Sequence, residues 1–224
     1  IFCHRPDLET PVEETCRAFD YLINQGLTFY WGTSEWPADR IREALQVCDR
    51  LGLHKPVVEQ PQYSLFVRER FEKEYHDLFR QYHLGTTIWS PLAGGLLSGK
   101  YNEGLPPGSR YDTDDQMLKG IYNKYFSDEA KEKTFKSLKA LGNIAKEVGC
   151  SQAQLALAWT LASPNVSVCL FGATKISQIE DNAKAVEIYK KLTPEIIQKI
   201  DEAMGNAPTP LTDFRTWKPL KSTR

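Results

Sequence analysis

Hydrophobic and polar positions recur in one order along this chain: a short apolar run, a break of small or polar residues, then an apolar stripe at helical spacing. Residues 1–3 (Ile1, Phe2, Cys3) read as a buried strand. Thr10-Pro11-Val12-Glu13 predicts a helix start, with Thr10 as N-cap, Pro11 in the first turn and Glu13 completing a capping box. Its stripe is Val12, Cys16, Phe19 and Ile23, and Asn24-Gln25-Gly26 ends it. A strand over 27–30 runs into Gly32-Thr33-Ser34. Pro37 then opens a helix with the stripe Ile41, Ala44, Leu45, Cys48 and Leu51, closed by Gly52. The spacing predicts a strand over 57–60, a helix over 68–82 burying Phe71, Tyr75, Leu78, Phe79 and Tyr82, and a strand over 86–89. The Gly- and Pro-rich stretch 90–127 reads as a long functional or mobile loop. Two helices follow, over 128–148 and from the capping box Ser151-x-x-Gln154 to 162. A strand over 166–171, a helix over 177–188 capped by Ser177 and Glu180, and a helix from Thr193-Pro194-Glu195 to near Gly205 complete the pattern. The tail after Pro208 reads as irregular.

Strands alternating with helices mean a parallel sheet, closed as a barrel or open and doubly wound. No G-x-G-x-x-G follows an early strand, which weighs against the dinucleotide-binding open sheet. Two late turns carry more information. Segments 88–101 (IWSPLAGGLLSGKY) and 166–182 (VSVCLFGATKISQIEDN) each set small residues between a strand and a helix start, an arrangement that receives anions. Two such turns after late strands point to a nucleotide cofactor on a β/α barrel. Five units of an eight-unit barrel leave three to be found, roughly 90 residues upstream at about 30 residues per unit. No linker divides the chain, so residues 1–224 are expected to be the C-terminal part of a single barrel domain.

Composition adjusts this picture only slightly. Lys plus Arg is 28 against 29 Asp plus Glu, for a net charge of −1, which argues against broad nucleic-acid binding. No apolar run reaches the length that crosses a bilayer, so no membrane insertion is expected. The five cysteines (Cys3, Cys16, Cys48, Cys150, Cys169) are scattered and form no C-x-x-C pair, which fits a reducing, cytosolic setting. Asp112, Asp114 and Asp115 lack the glycine and terminal Glu of a calcium loop, and no metal site is expected. The chain opens at Ile1 on what reads as the end of a buried strand, so a C-terminal part of a longer protein is expected.

Several residues carry candidate chemistry, each with a plainer alternative. His4, just past its strand, reads as a donor to a carbonyl oxygen or as a capping or core histidine. Ser34 and Gln60 offer the donor and acceptor that fix a carboxamide, although Ser34 also suits a helix N-cap. Trp89 is a core aromatic or a stacking face. Lys100 and Arg110 are phosphate-binding cations or solvated surface charge. Gly172, Thr174, Lys175, Gln178, Asp181 and Asn182 surround a helix start that suits a ribose 2′-phosphate, or simply a solvated helix end. No acidic residue is placed at that strand end to accept ribose hydroxyls, which favours NADP over NAD.

The stretches FCHRPD, YWGTSEW, VVEQPQYSLF, WSPLAGGLLSGKY, SQAQLALAW and FGATKISQIEDN cover essentially the whole chain. Together, and in this order, they resemble the aldo-keto reductase superfamily, in particular the branch containing the voltage-gated potassium channel β-subunits. The resemblance implies a (β/α)8 TIM barrel, here incomplete and beginning at about the fourth strand, with NADP(H) across its C-terminal mouth. It implies hydride transfer between the nicotinamide and a small aldehyde or ketone. Ser34 and Gln60 would hold the carboxamide and Trp89 would stack on the nicotinamide. The backbone of Ser90, Pro91, Leu92 and Gly94 would approach the pyrophosphate, and Lys100 and Arg110 would lie in a loop over the cofactor. Asp181 and Asn182 match positions at the adenine and ribose. His4 would assist a catalytic Tyr that, with its Lys and Asp, belongs upstream of Ile1; Tyr30, Tyr63 and Tyr101 do not match that position. The branch also implies a cytoplasmic protein, a homo-tetramer, and a potassium channel α-subunit as partner, with bound cofactor as redox sensor. Glu35 departs from the animal channel subunits, which carry a basic residue there.

Overall fold

Five short strands pair in chain order into one parallel sheet: β1 (Phe2–His4), β2 (Gly32–Ser34), β3 (Val58–Gln60), β4 (Gly85–Trp89) and β5 (Val168–Leu170). The computed structural model describes residues 1–210 and 214–215, so most of the tail expected to be irregular lies outside the described residues. Between the strands run α1 (Val12–Asn24), α2 (Ala38–Leu51), α3 (His76–Tyr82), α4 (Gln116–Phe126), α5 (Lys131–Val148) and α6 (Gln152–Leu161). After β5 come α7 (Ile176–Ala183), α8 (Ala185–Ile188) and α9 (Pro194–Met204). These βα units form an arc of the (β/α)8 barrel architecture. β1 and β5 are the two edges of the sheet, and Phe2, Val168 and Leu170 on them are exposed.

Local chemistry accounts for the elements. α2 buries Ile41, Ala44, Leu45 and Cys48 on one stripe and stops at Gly52, which takes the left-handed conformation (φ 67°) that a side chain resists. α6 is buried on nearly all sides, as an apolar sequence without a polar face requires, and its Ser151–Gln154 capping box is formed. Thr193 caps α9 through the amide of Ile196. Leu78, Ile88, Leu138, Leu141 and Leu155 anchor the core between sheet and helices.

Four expectations change. Thr10 does not cap α1: its hydroxyl donates to Asp7 Oδ2 (2.7 Å), and Pro11 takes the N-cap position instead. β2 is Gly32–Ser34 and not 27–30, where Leu27, Phe29 and Tyr30 are exposed. Gly32 is what lets the neighbouring strand in, since a Cβ there would overlap Val58. The 90–127 stretch is not one loop. It holds a 3₁₀ segment, Ala93–Ser98, and all of α4, whose N-cap Asp115 accepts from the amides of Met117 and Leu118. Ser177 is not a cap either; α7 starts one residue earlier, with Lys175 at the N-cap. In addition, the helix over 68–82 begins as a π turn, Arg70–Glu74, before α3.

Candidate cofactor site at the strand ends

Parallel strands deliver their C-terminal ends to one rim, and backbone strain gathers there. Arg5 (φ 32°), Glu35 (φ 59°), Ser90 (φ 56°) and Ala93 (φ 49°) all take left-handed conformations just past β1, β2 and β4. Side chains in that region cost about 1–2 kcal/mol each, so the fold must hold them there.

A cleft of about 730 Å³ opens on this rim. From the β4 side it is lined by Ser90, Pro91, Leu92, Gly94, Lys100 and Arg110. From the β5 side come Gly172, Thr174, Gln178, Asp181 and Asn182. The two turns singled out in the sequence therefore face one another. Gly94 (φ 66°) is sterically required, because a Cβ there would run into the Tyr111 hydroxyl. Its amide donates to the Ser90 hydroxyl oxygen at 3.2 Å. Among the described residues, neither Lys100 nor Arg110 has an ion-pair partner. Across the cleft, Gln178 Oε1 accepts from the Thr174 amide at 2.8 Å and shapes the turn before α7. Asp181 is held from α6: Gln154 Nε2 donates to its Oδ1 (2.9 Å) and Ser151 Oγ to its Oδ2 (3.2 Å). Asn182 is buried beside it. Lys175, expected in the same group, is exposed at the N-cap of α7 and does not line the cleft.

The other predicted residues form a row across the sheet. His4 pairs in register with Ser34, and Ser34 with Gln60. His4 is exposed; Ser34 is buried and donates its hydroxyl to the Gln60 carbonyl (3.0 Å), keeping its lone pairs. Gln60 Nε2 donates to Thr87 Oγ1 at 3.3 Å. Trp89, half-buried, ends β4 beside Gln62. Of the tyrosines, Tyr30 is exposed ahead of β2, Tyr101 is buried, and Tyr63 is buried with its hydroxyl on Glu72 (2.9 Å). Burial raises the Tyr63 phenol far above its ordinary range, so it is a poor proton donor in exchange with a substrate.

Two acids at this rim were not anticipated as site residues. Glu35 Oε1 accepts from the Trp89 indole N–H (3.0 Å) and the Gln62 amide (2.5 Å), while Oε2 pairs with Arg70 (2.6 Å) and Arg5 (3.4 Å). Its position directly after Ser34 at a strand end was the available signal. Glu59 on β3 is fully buried and takes the Thr33 hydroxyl and the backbone amides of Glu35 and Trp36. Desolvation pushes its carboxyl up to about 7 despite those donors. A second cavity of about 390 Å³, lined by Glu35, Gln62, Phe66, Arg70, Lys124 and Asn206, adjoins the Trp89 end. Among the described residues no cluster of His, Cys, Asp and Glu could hold a metal ion, and no helix is long and apolar enough to cross a membrane.

The chain is similar in sequence to several known proteins. A rice (Oryza sativa subsp. japonica) protein named "Probable voltage-gated potassium channel subunit beta" is 45% identical over 216 residues, covering 96% of this chain and 64% of that protein. One of the same name from Arabidopsis thaliana is 44% identical over 216 residues, with the same coverage of 96% and 64%. A similarly named Schizosaccharomyces pombe protein is 46% identical over 208 residues, 93% of this chain and 59% of its own length. The chain thus spans about 64% of the length of the plant relatives. The sequence model of the Aldo/keto reductase family matches residues 1–204, and the chain belongs to that family.

Proposed function

We propose that this chain forms the cofactor-binding part of an NADP(H)-dependent aldo-keto reductase that moves hydride between nicotinamide and an aldehyde or ketone. One observation carries the reading: the turns after β4 and β5, each suited to an anion, line a single cleft with two cations, Lys100 and Arg110, that have no ion-pair partner among the described residues. The family generally works with NAD(P)H, and the residues present fit it. Ser90, Pro91, Leu92 and Gly94 bring backbone to the cleft wall, Lys100 and Arg110 supply charge for phosphates, and Thr174, Gln178 and the start of α7 suit a 2′-phosphate, with Lys175 adding charge nearby. Asp181 and Asn182 receive the adenosine end. At the other end, Ser34 and Gln60 hold the carboxamide by hydrogen bonds, and Trp89 offers a flat face that keeps water off the ring. His4, exposed in the same row, donates toward a substrate carbonyl oxygen, where negative charge develops on reduction. The bound nicotinamide supplies the hydride itself.

The test is a titration with NADPH, following its fluorescence. The chain binds it more tightly than NADH, and Lys100→Ala and Arg110→Ala each weaken binding about fivefold at low salt, less at high salt. Absence of binding by the chain and by any longer form containing it would overturn the reading. Tyr30, Tyr63 and Tyr101 do not match the catalytic Tyr of the family, so residues 1–224 alone are expected to bind NADPH without reducing aldehydes.

The names of the relatives favour a second role, as a potassium channel β-subunit; the family resemblance adds to this reading a cytoplasmic tetramer that docks on a channel α-subunit and senses redox state through bound NADP(H). In the full-length protein, slow aldehyde reduction together with capture by a channel α-subunit would select it; rapid turnover without capture would select the enzyme.

A further inference from the structure

Glu35 makes contacts that neither reading uses. Its carboxylate lies among four donors from four different parts of the chain. Oε1 takes the Trp89 indole N–H (3.0 Å) and the Gln62 amide (2.5 Å); Oε2 takes Arg70 (2.6 Å) and Arg5 (3.4 Å). The side chain is only 11% exposed. Its backbone is held as well: buried Glu59 receives its amide, and the Arg70 guanidinium reaches its carbonyl (3.4 Å). Held in this way, Glu35 stays left-handed at φ 59°, a conformation that a glutamate in free solution avoids.

From this geometry we infer that Glu35 is a positioning residue, whose carboxylate pins the nitrogen edge of the Trp89 indole and so sets the plane of the ring on which the nicotinamide stacks. This rests on the proposed role of Trp89. The physical case is that a half-buried indole at a strand end has several accessible rotamers, and a charge-assisted bond at its only polar atom selects one of them. Arg70 and Arg5 share the same carboxylate and keep it charged and aimed. A lysine or arginine at position 35 would face the indole N–H and two guanidinium groups with a donor, so an acceptor is required here.

The experiment uses the whole chain with ¹⁵N-labelled indoles and NADPH titration. Its five tryptophans give five indole signals, and Trp89→Phe identifies the one from Trp89. Glu35→Ala moves that signal toward the position of an unbonded indole and weakens NADPH about tenfold. Glu35→Gln, which keeps an acceptor, restores affinity to within about threefold of the parent. In a Trp89→Phe background, Glu35→Ala adds little, because both act through one ring. Additive losses, or an unchanged Trp89 signal in Glu35→Ala, would overturn the inference. So would unchanged affinity in Glu35→Ala when Trp89→Phe loses it, and that result would leave the cofactor reading standing. If the parent fails to bind NADPH, both fall. Should Glu35→Ala unfold, Glu35→Asp, which is too short to reach the indole, takes its place with the same expected losses.

Discussion

Replacing Glu59 with glutamine should change how stability depends on pH. The carboxyl is fully buried on β3 between the Thr33 hydroxyl, the amides of Glu35 and Trp36, and the Tyr75 hydroxyl at 3.4 Å. Desolvation dominates and raises it from 4.5 to about 7, with the nearby Glu35 charge adding to the rise. The native state therefore holds a proton that the unfolded chain has released between these two values. Stability from this group is complete below pH 4.5, is lost as pH rises toward 7, and is flat above it. A difference of 2.5 units between those two values corresponds to about 3 kcal/mol. Glu59→Gln keeps an acceptor for the amides and cannot ionise, so that slope disappears. Urea unfolding of parent and variant at pH 5, 6, 7 and 8 measures the effect. The difference in unfolding free energy should shift in favour of Gln by about 2.5 kcal/mol between pH 5 and pH 8, the remainder of the full effect falling below pH 5. Titrating groups that do not interact with Glu59 cancel in that difference. Parallel curves across the whole range would refute the reasoning, because Glu59 would then titrate as it does in water.

Other perturbations test other parts of the structure. Arg68, 7% exposed, bonds Glu72 and Asp201 and lies over the Trp159 ring, tying α9 to the π turn. Arg68→Ala should cost about 3 kcal/mol in urea unfolding. Gly94→Ala meets both a left-handed backbone and the Tyr111 hydroxyl. It should lose about 2 kcal/mol of stability, seen as a lower melting temperature, and weaken NADPH binding in parallel. Ser151→Ala removes the α6 cap and one donor to Asp181. The expected cost is about 1 kcal/mol by chemical unfolding.

Elements were legible wherever periodicity and a cap agreed. α2 with Gly52, α6 with its Ser151–Gln154 box and α9 with Thr193 are examples, since each signal lies within one turn of the helix it ends. Thr10 and Ser177 had the right spacing but lost to local competition. Asp7 engages Thr10, and Gln178 organises the turn before α7. α4 was hidden in Gly- and Pro-rich sequence. Tertiary packing sustains it: Tyr122 meets the rings of Tyr101 and Tyr111, and Phe126 meets Phe135 of α5, contacts that no local periodicity displays. Positions at the two turns could be named from sequence because the barrel directs strand ends to a common rim. The Glu35 cluster could not, because its partners lie 27 to 54 residues away along the chain.

Among the described residues no further strand pairs with the outer sides of β1 and β5, and this has a practical consequence. Backbone donors and acceptors along β1 and β5, flanked by Phe2, Val168 and Leu170, are templates for another strand. At high concentration two copies can satisfy each other there, so light scattering should rise with protein concentration. A short soluble peptide of alternating apolar pattern that pairs along either margin should suppress it.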